Sequence, residues 1–112
     1  MKILIAINDN NGINSKLSEH FGHCPYFAIY ETDNKSLEIV ENKLDHSNQN
    51  QTPVDQIMKF NPTIVFTLGI GARAIKLFNE KGIKLKTGNY QIVKEVIENI
   101  ENLKEMDSGC EH

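Results

Sequence analysis

Five consecutive apolar residues, Ile3-Leu4-Ile5-Ala6-Ile7, stand near the start of the chain, and three of them are β-branched. A strand with one solvated face alternates in polarity, so an unbroken run of this kind needs cover on both sides, as a central strand has in an α/β sheet. Residues 63–68, Thr-Ile-Val-Phe-Thr-Leu, form a second such run and end at Gly69-Ile70-Gly71. Two doubly covered strands require layers of helix above and below them.

The remaining pattern supplies those layers. Strand character returns at residues 26–30, and a turn at Thr32-Asp33-Asn34-Lys35 leads to a largely alternating strand over residues 37–41, which predicts an antiparallel hairpin. Thr52-Pro53-Val54-Asp55 reads as a helix start, with Thr52 as N-cap, Pro53 in the first helical position and Asp55 in the capping-box place. That helix is short, and Asn61-Pro62 stops it. A second helix follows Gly71, carries Ala74, Ile75 and Phe78 on one face, and stops at Gly82. Residues 83–86 alternate with lysines outward, as a sheet edge requires. Ile92, Val93, Val96, Ile97, Ile100 and Leu103 keep a helical period, predicting a last helix of about three turns.

The element order is β-β-β-α-β-α-β-α. With right-handed crossovers it predicts a mixed five-stranded sheet in the order 3-2-1-4-5, two crossover helices on one face and the last helix on the other. This is a ribonuclease-H-like three-layer α/β fold. One domain spans residues 1–104, and residues 105–112 read as a flexible C-terminal tail.

The 112 residues include 12 basic and 15 acidic side chains, a net charge of −3, so no general attraction to nucleic acid or anionic membrane is expected. No apolar stretch nears the length of about 20 residues that spans a bilayer. Two cysteines, Cys24 and Cys110, are too few for a disulfide framework, and the expected compartment is the cytoplasm.

In the expected topology, residues 8–25, residues 42–51, Gly69-Ile70-Gly71 and Thr87-Gly88-Asn89 all emerge at the carboxyl ends of the parallel strands, where open α/β sheets bind ligands. His20, His23, Cys24 and His46 lie in those segments. Imidazole with thiolate is a borderline-soft donor set, suited to iron, zinc, copper or iron-sulfur clusters. His20, His23 and Cys24 are therefore the candidate metal ligands. An exposed cysteine between imidazoles is expected to titrate low enough to supply thiolate. Gly69 and Gly71 make a tight strand-to-helix turn whose amides, with Arg73, could accept an anion. A nuclease would need convergent carboxylates, and only Asp9 is expected at this edge, since Glu31 and Asp33 fall at the other.

The segments SEHFGHCPYF, residues 18–27, and LGIGARAIKLFNEKGIKLKTG, residues 68–88, resemble the dinitrogenase iron-molybdenum cofactor biosynthesis family. The resemblance runs through nearly the whole chain and implies a ribonuclease-H-like fold. It also implies a metallocluster-binding carrier or scaffold rather than an enzyme, with metallocluster donor and acceptor proteins as partners. The cargo would be an iron-sulfur or iron-molybdenum-type cluster or its precursor. A hydrolase, most plausibly a nuclease, is the alternative. His20, Phe21 and Gly22 match the first motif, and Gly69, Gly71 and Ala74 match its glycine-rich turn. The chain departs from the family where His23-Cys24 follows Phe21-Gly22 in place of an arginine and a small residue. The resemblance does not extend to His46 or to the tail with Cys110 and His112.

Overall fold

The computed structural model describes residues 1–45, 47 and 50–106. Among these residues six strands form one sheet: β1 (Lys2–Ile7), β2 (Tyr26–Glu31), β3 (Ser36–Glu41), β4 (Ile64–Phe66), β5 (Lys84–Thr87) and β6 (Lys104–Glu105). Their order is β3-β2-β1-β4-β5-β6. β1 pairs antiparallel with β2 and parallel with β4, and β4 pairs parallel with β5. The expected order 3-2-1-4-5 is thus present, with β6 added antiparallel outside β5.

The two apolar runs occupy the two central strands, and their alternate residues feed opposite layers. Leu4, Ala6 and Val65 point into one layer with Phe27, Val54, Ile57, Ile75 and Phe78. This brings α1 (Pro53–Ile57) and α2 (Ala72–Glu80) onto the same face. Ile3, Ile5, Ile7 and Phe66 fill the other layer with Leu17, Val93, Val96 and Leu103, under α3 (Val93–Glu98). Among the described residues no helix is long and apolar enough to cross a membrane.

α1 begins as its sequence predicts. The Thr52 hydroxyl accepts from the Asp55 amide at 3.1 Å, and the Asp55 carboxylate accepts from the Thr52 amide at 3.0 Å. Lys81, at the end of α2, also reaches Asp55 at 2.7 Å. Chiefly through Lys81, and then through the Thr52 amide and hydroxyl, the Asp55 carboxyl titrates at about 2, below its ordinary 3.8. A depressed folded-state value means that this contribution is complete above about pH 4 and is lost as the pH falls toward 2. Asp55→Asn should therefore flatten the pH dependence of the urea midpoint between pH 5 and pH 2.5, roughly the window of that titration. Thr52→Ala removes the reciprocal cap and should cost about 1 kcal/mol.

Three expectations are corrected. The last helix is shorter than its period predicts: α3 ends at Glu98, a 3-10 turn covers Ile100–Asn102, and Leu103 is extended. The cause is Asn99, whose side-chain amide donates to the Glu95 carbonyl at 2.8 Å, the acceptor the next helical turn would have used. The sheet has six strands, not five, because this early stop returns the chain to β5, where Lys104 pairs with Thr87 and Glu105 with Lys86. The boundary at residue 104 consequently moves outward: Glu105 lies in β6, and the half-buried Met106 packs on the core while its amide donates to the Leu85 carbonyl at 2.9 Å. The remainder of the expected tail, residues 107–112, lies outside the described residues.

Candidate functional site

The carboxyl ends of β1 and β4 are joined by the long segment after β1, which folds back on the sheet. The Ser18 amide donates to Ala6 at 2.9 Å, the Asn8 amide to Lys16 at 2.8 Å, and the Leu17 amide to Gln91 at 2.9 Å. Ser15 is fully buried, and its hydroxyl accepts from the Asn11 amide at 2.8 Å. Residues 15–18 thus lie as an extra strip between the end of β1 and the segment before α3. A loop so often paired presents its next residues at a fixed height above the edge.

The segment then crosses to the end of β4. The Leu68 amide donates to the Ser18 carbonyl at 3.4 Å, and the Phe21 amide to the Gly69 carbonyl at 3.1 Å. The Gly69 carbonyl also accepts from the buried Thr67 hydroxyl at 3.0 Å. A Cβ on Gly69 would run into the Glu19 carbonyl oxygen, so this glycine is required by close backbone approach. Gly71, by contrast, has nothing within 4 Å of an added Cβ and a φ of −74°. Gly71 thus needs no positive φ and only starts α2, and Gly69 carries the steric demand of the turn.

Beyond this crossing the chain turns sharply. The His23 amide donates to the His20 carbonyl at 3.1 Å, and Gly22 adopts a φ of +90°, a conformation glycine takes without strain. Phe21 anchors the turn, its ring 5.7 Å from that of Phe27 and 5.5 Å, edge-on, from that of Phe78. From below, the Asn42 side-chain amide donates to the Gly22 carbonyl at 2.9 Å and to the Cys24 carbonyl at 2.7 Å.

His20 and His23 are both exposed on this turn, but they serve different sides of it. His20 lines an open groove of about 780 Å³ with Asn8, Lys16, Asn89 and Tyr90. His23 lines a second groove of about 700 Å³ with Phe21, Gly22, Gly71, Arg73 and the start of α1. Gly71 has no side chain with which to cap α2, so its first amides have no side-chain cap, and Arg73 is exposed in the first turn.

Cys24 departs from expectation. It is 3% exposed and belongs to the core layer that holds Phe27 and Phe78. Burial raises its thiol above the ordinary value, against smaller opposing contributions from hydrogen bonds with Gly22, Ile7, Cys24 and Asn42. The expected exposed, readily ionised thiolate is therefore absent from this conformation. Among the described residues no three His, Cys, Asp or Glu side chains gather as a metal-holding group. Carboxylates do not converge either: Asp9 accepts from the Lys16 amide at 2.9 Å, whereas Glu31 sits at the other edge, 3.0 Å from the Met1 amino group. His46, Cys110 and His112 lie outside the described residues.

Sequence reasoning placed the segments that hold Asn42, Lys16 and Asn89 at this edge but gave these three residues no part in it. Asn42 and Asn89 are polar residues just beyond strand ends and Lys16 lies in a polar loop, which locally signals only a turn. Their contacts become visible when the sheet brings strand ends together.

The fold and edge define a small α/β domain whose strand-end rim is built from two interlocked segments, residues 18–23 and 67–73. The chain belongs to the dinitrogenase iron-molybdenum cofactor family, whose profile matches residues 1–103. It is 30% identical over 102 residues to the uncharacterized protein MJ0580 of Methanocaldococcus jannaschii, covering 87% of this chain and 82% of that one. The crystal structure of PH0822 is similar with a TM-score of 0.77 at 33% identity, covering 96% of this chain and 97% of that one. The apo orange protein of Desulfovibrio gigas shares the fold at 15% identity, with a TM-score of 0.78 over 94% of this chain and 92% of that one.

Proposed function

We propose that this protein binds an anionic metal-sulfur cluster, of the iron-sulfur or iron-molybdenum type or a precursor of it, and carries it between donor and acceptor proteins during cofactor assembly. Family membership supports cofactor assembly as the setting. The observation that carries the reading is the turn with two exposed imidazoles, His20 and His23, pinned by its Phe21 amide to the glycine turn before α2.

The donor set favours a carrier over a permanent holder. A resident cluster is held by several convergent thiolates or imidazoles, whereas among the described residues this rim offers one imidazole to each groove. Cargo that brings its own sulfides needs only one or two protein bonds, and few bonds allow release. The negative charge of such cargo suits the start of α2, which contributes about 0.3 to 1 kcal/mol at an exposed site; Arg73 adds a full positive charge there. Phe21 and Gly22 shape the wall beneath the cargo, and Gly69 holds that wall in place. Nuclease activity, the alternative, would need carboxylates that are not gathered among the described residues.

Anaerobic incubation with iron and sulfide, followed by visible absorption and metal counting, tests the reading. Bound metal should fall several-fold in His20→Ala and in His23→Ala, and Arg73→Glu should weaken retention. Cys24→Ala should keep most of its metal because the thiol is buried. If both histidine variants retain full metal, the rim is not the site. If Cys24→Ala alone loses it, the turn must open to deliver a thiolate.

A further inference from the structure

We infer that Asn42 is the positioning residue of the cargo turn: a single side chain at the end of β3 sets the height and shape of the segment that presents His20 and His23. The inference rests on the reading of that turn as the cargo site, but its test does not require cargo.

Asn42 follows directly on β3, so its backbone is fixed by the sheet, and its amide donates to the Pro25 carbonyl at 3.0 Å. Its side chain uses both ends. The Oδ1 atom accepts from the Leu44 amide at 2.9 Å, which orients the carboxamide. The Nδ2 group then donates to Gly22 at 2.9 Å and to Cys24 at 2.7 Å, two carbonyls flanking His23. A carboxamide has two N–H donors on one nitrogen, so one side chain can satisfy both carbonyls. The same nitrogen lies 4.0 Å from the Cys24 sulfur.

The turn is thus held from two directions. On the β4 side the Phe21 amide is bonded to Gly69; on the β3 side the carbonyls of Gly22 and Cys24 are bonded to Asn42. His23 stands between the two carbonyls that Asn42 binds, in a stretch containing a left-handed Gly22. Without the Asn42 carboxamide, that stretch would lose the two hydrogen bonds that hold the carbonyls on either side of His23. Local openings of this kind occur far below the free energy of global unfolding when few contacts close a segment.

Cys24 lies beneath this turn and reports on it. In wild-type protein its alkylation by iodoacetamide under native conditions, followed at Cys24 by peptide mass mapping, should be slow. Asn42→Ala deletes both donors and should accelerate that reaction by about ten- to a hundredfold, the effect of losing one or two ordinary hydrogen bonds. Asn42→Asp keeps the acceptor for Leu44 but turns a carboxylate toward two carbonyls, and should accelerate it at least as much. Lys43→Ala, a neighbouring change, should not. In the Asn42 variants the amides of Phe21 and His23 should also exchange faster than the core amides of β1, which separates opening of the turn from general destabilisation.

Cys24 alkylation in folded Asn42→Ala no faster than in Lys43→Ala would overturn the inference. If neither Asn42 variant folds, the wild-type side-chain amide decides. Slowed proton exchange at Asn42 Nδ2 supports the positioning role, and exchange as fast as in a free asparagine refutes it. All of these readouts are taken without metal. Loss of the proposed cargo binding would leave them standing, and an idle Asn42 would leave the cargo reading to its own test.

Discussion

Gly69→Val is expected to lower the stability of the protein by about 3 kcal/mol, the upper part of the range for overpacking, because the added atoms meet a backbone carbonyl rather than a side chain that can rotate away. The carbonyl is that of Glu19, held by a segment paired on both sides through Ser18 and Phe21. Gly71→Ala should stay within about 1 kcal/mol of wild type, because its Cβ enters open space and its backbone is already in a common conformation. Urea midpoints at unchanged slope measure both. Equal stability of Gly69→Val and wild type would mean that the Glu19 peptide can move aside, and the two motifs would then be merely adjacent.

Phe78→Ala should cost about 3 to 5 kcal/mol, as for other large-to-small changes at fully buried aromatic sites. Phe78 is completely inaccessible, and its ring supports that of Phe21 edge-on at 5.5 Å. The change should therefore do more than hollow the core. Exchange of the Phe21 amide should rise in this variant beyond what its global stability accounts for. Val96→Ala, in the opposite layer, should lower stability without that excess. If the two variants show the same exchange pattern relative to their stabilities, Phe21 does not depend on the ring beneath it.

Both changes act where the sequence was informative in different degrees. The residue types of the two apolar runs are sufficient for central strands, because no other position covers both faces of a strand, and β1 and β4 follow directly. Thr52, Pro53 and Asp55 marked a helix start because a cap is local chemistry, complete within four residues. The last helix was overestimated for the converse reason. Its period is real up to Ile97, but Asn99 offers the backbone a side-chain bond in place of the next helical one, and a count of apolar spacings does not register that competition. β6 was invisible as two polar residues, Lys104 and Glu105, whose strand character comes only from the neighbouring β5.

At the rim, which segments meet was legible, since it follows from topology. Which atoms meet was not. His20, Cys24 and Gly71 were chosen by residue type, and the structure leaves the imidazole exposed, buries the thiol and relieves Gly71 of any steric role. The chain turns sharply at the left-handed Gly22 between them, so a histidine and a cysteine four positions apart face water and core respectively.

The bond from the Phe21 amide to the Gly69 carbonyl joins points 48 residues apart in the sequence. Neither partner can be placed until β1 and β4 have paired, so no fragment of the chain holds the rim in advance of the sheet. Occupancy and folding then become one equilibrium. A ligand that binds only the assembled rim raises the melting temperature with its free concentration, by RT ln(1 + [L]/Kd) in free energy. Any mutation anywhere in the sheet that populates the unfolded chain lowers apparent affinity by the same linkage. Thermal shift against ligand concentration would thus read affinity, and a chain half unfolded without ligand would show about twice the apparent Kd yet reach full occupancy at saturation.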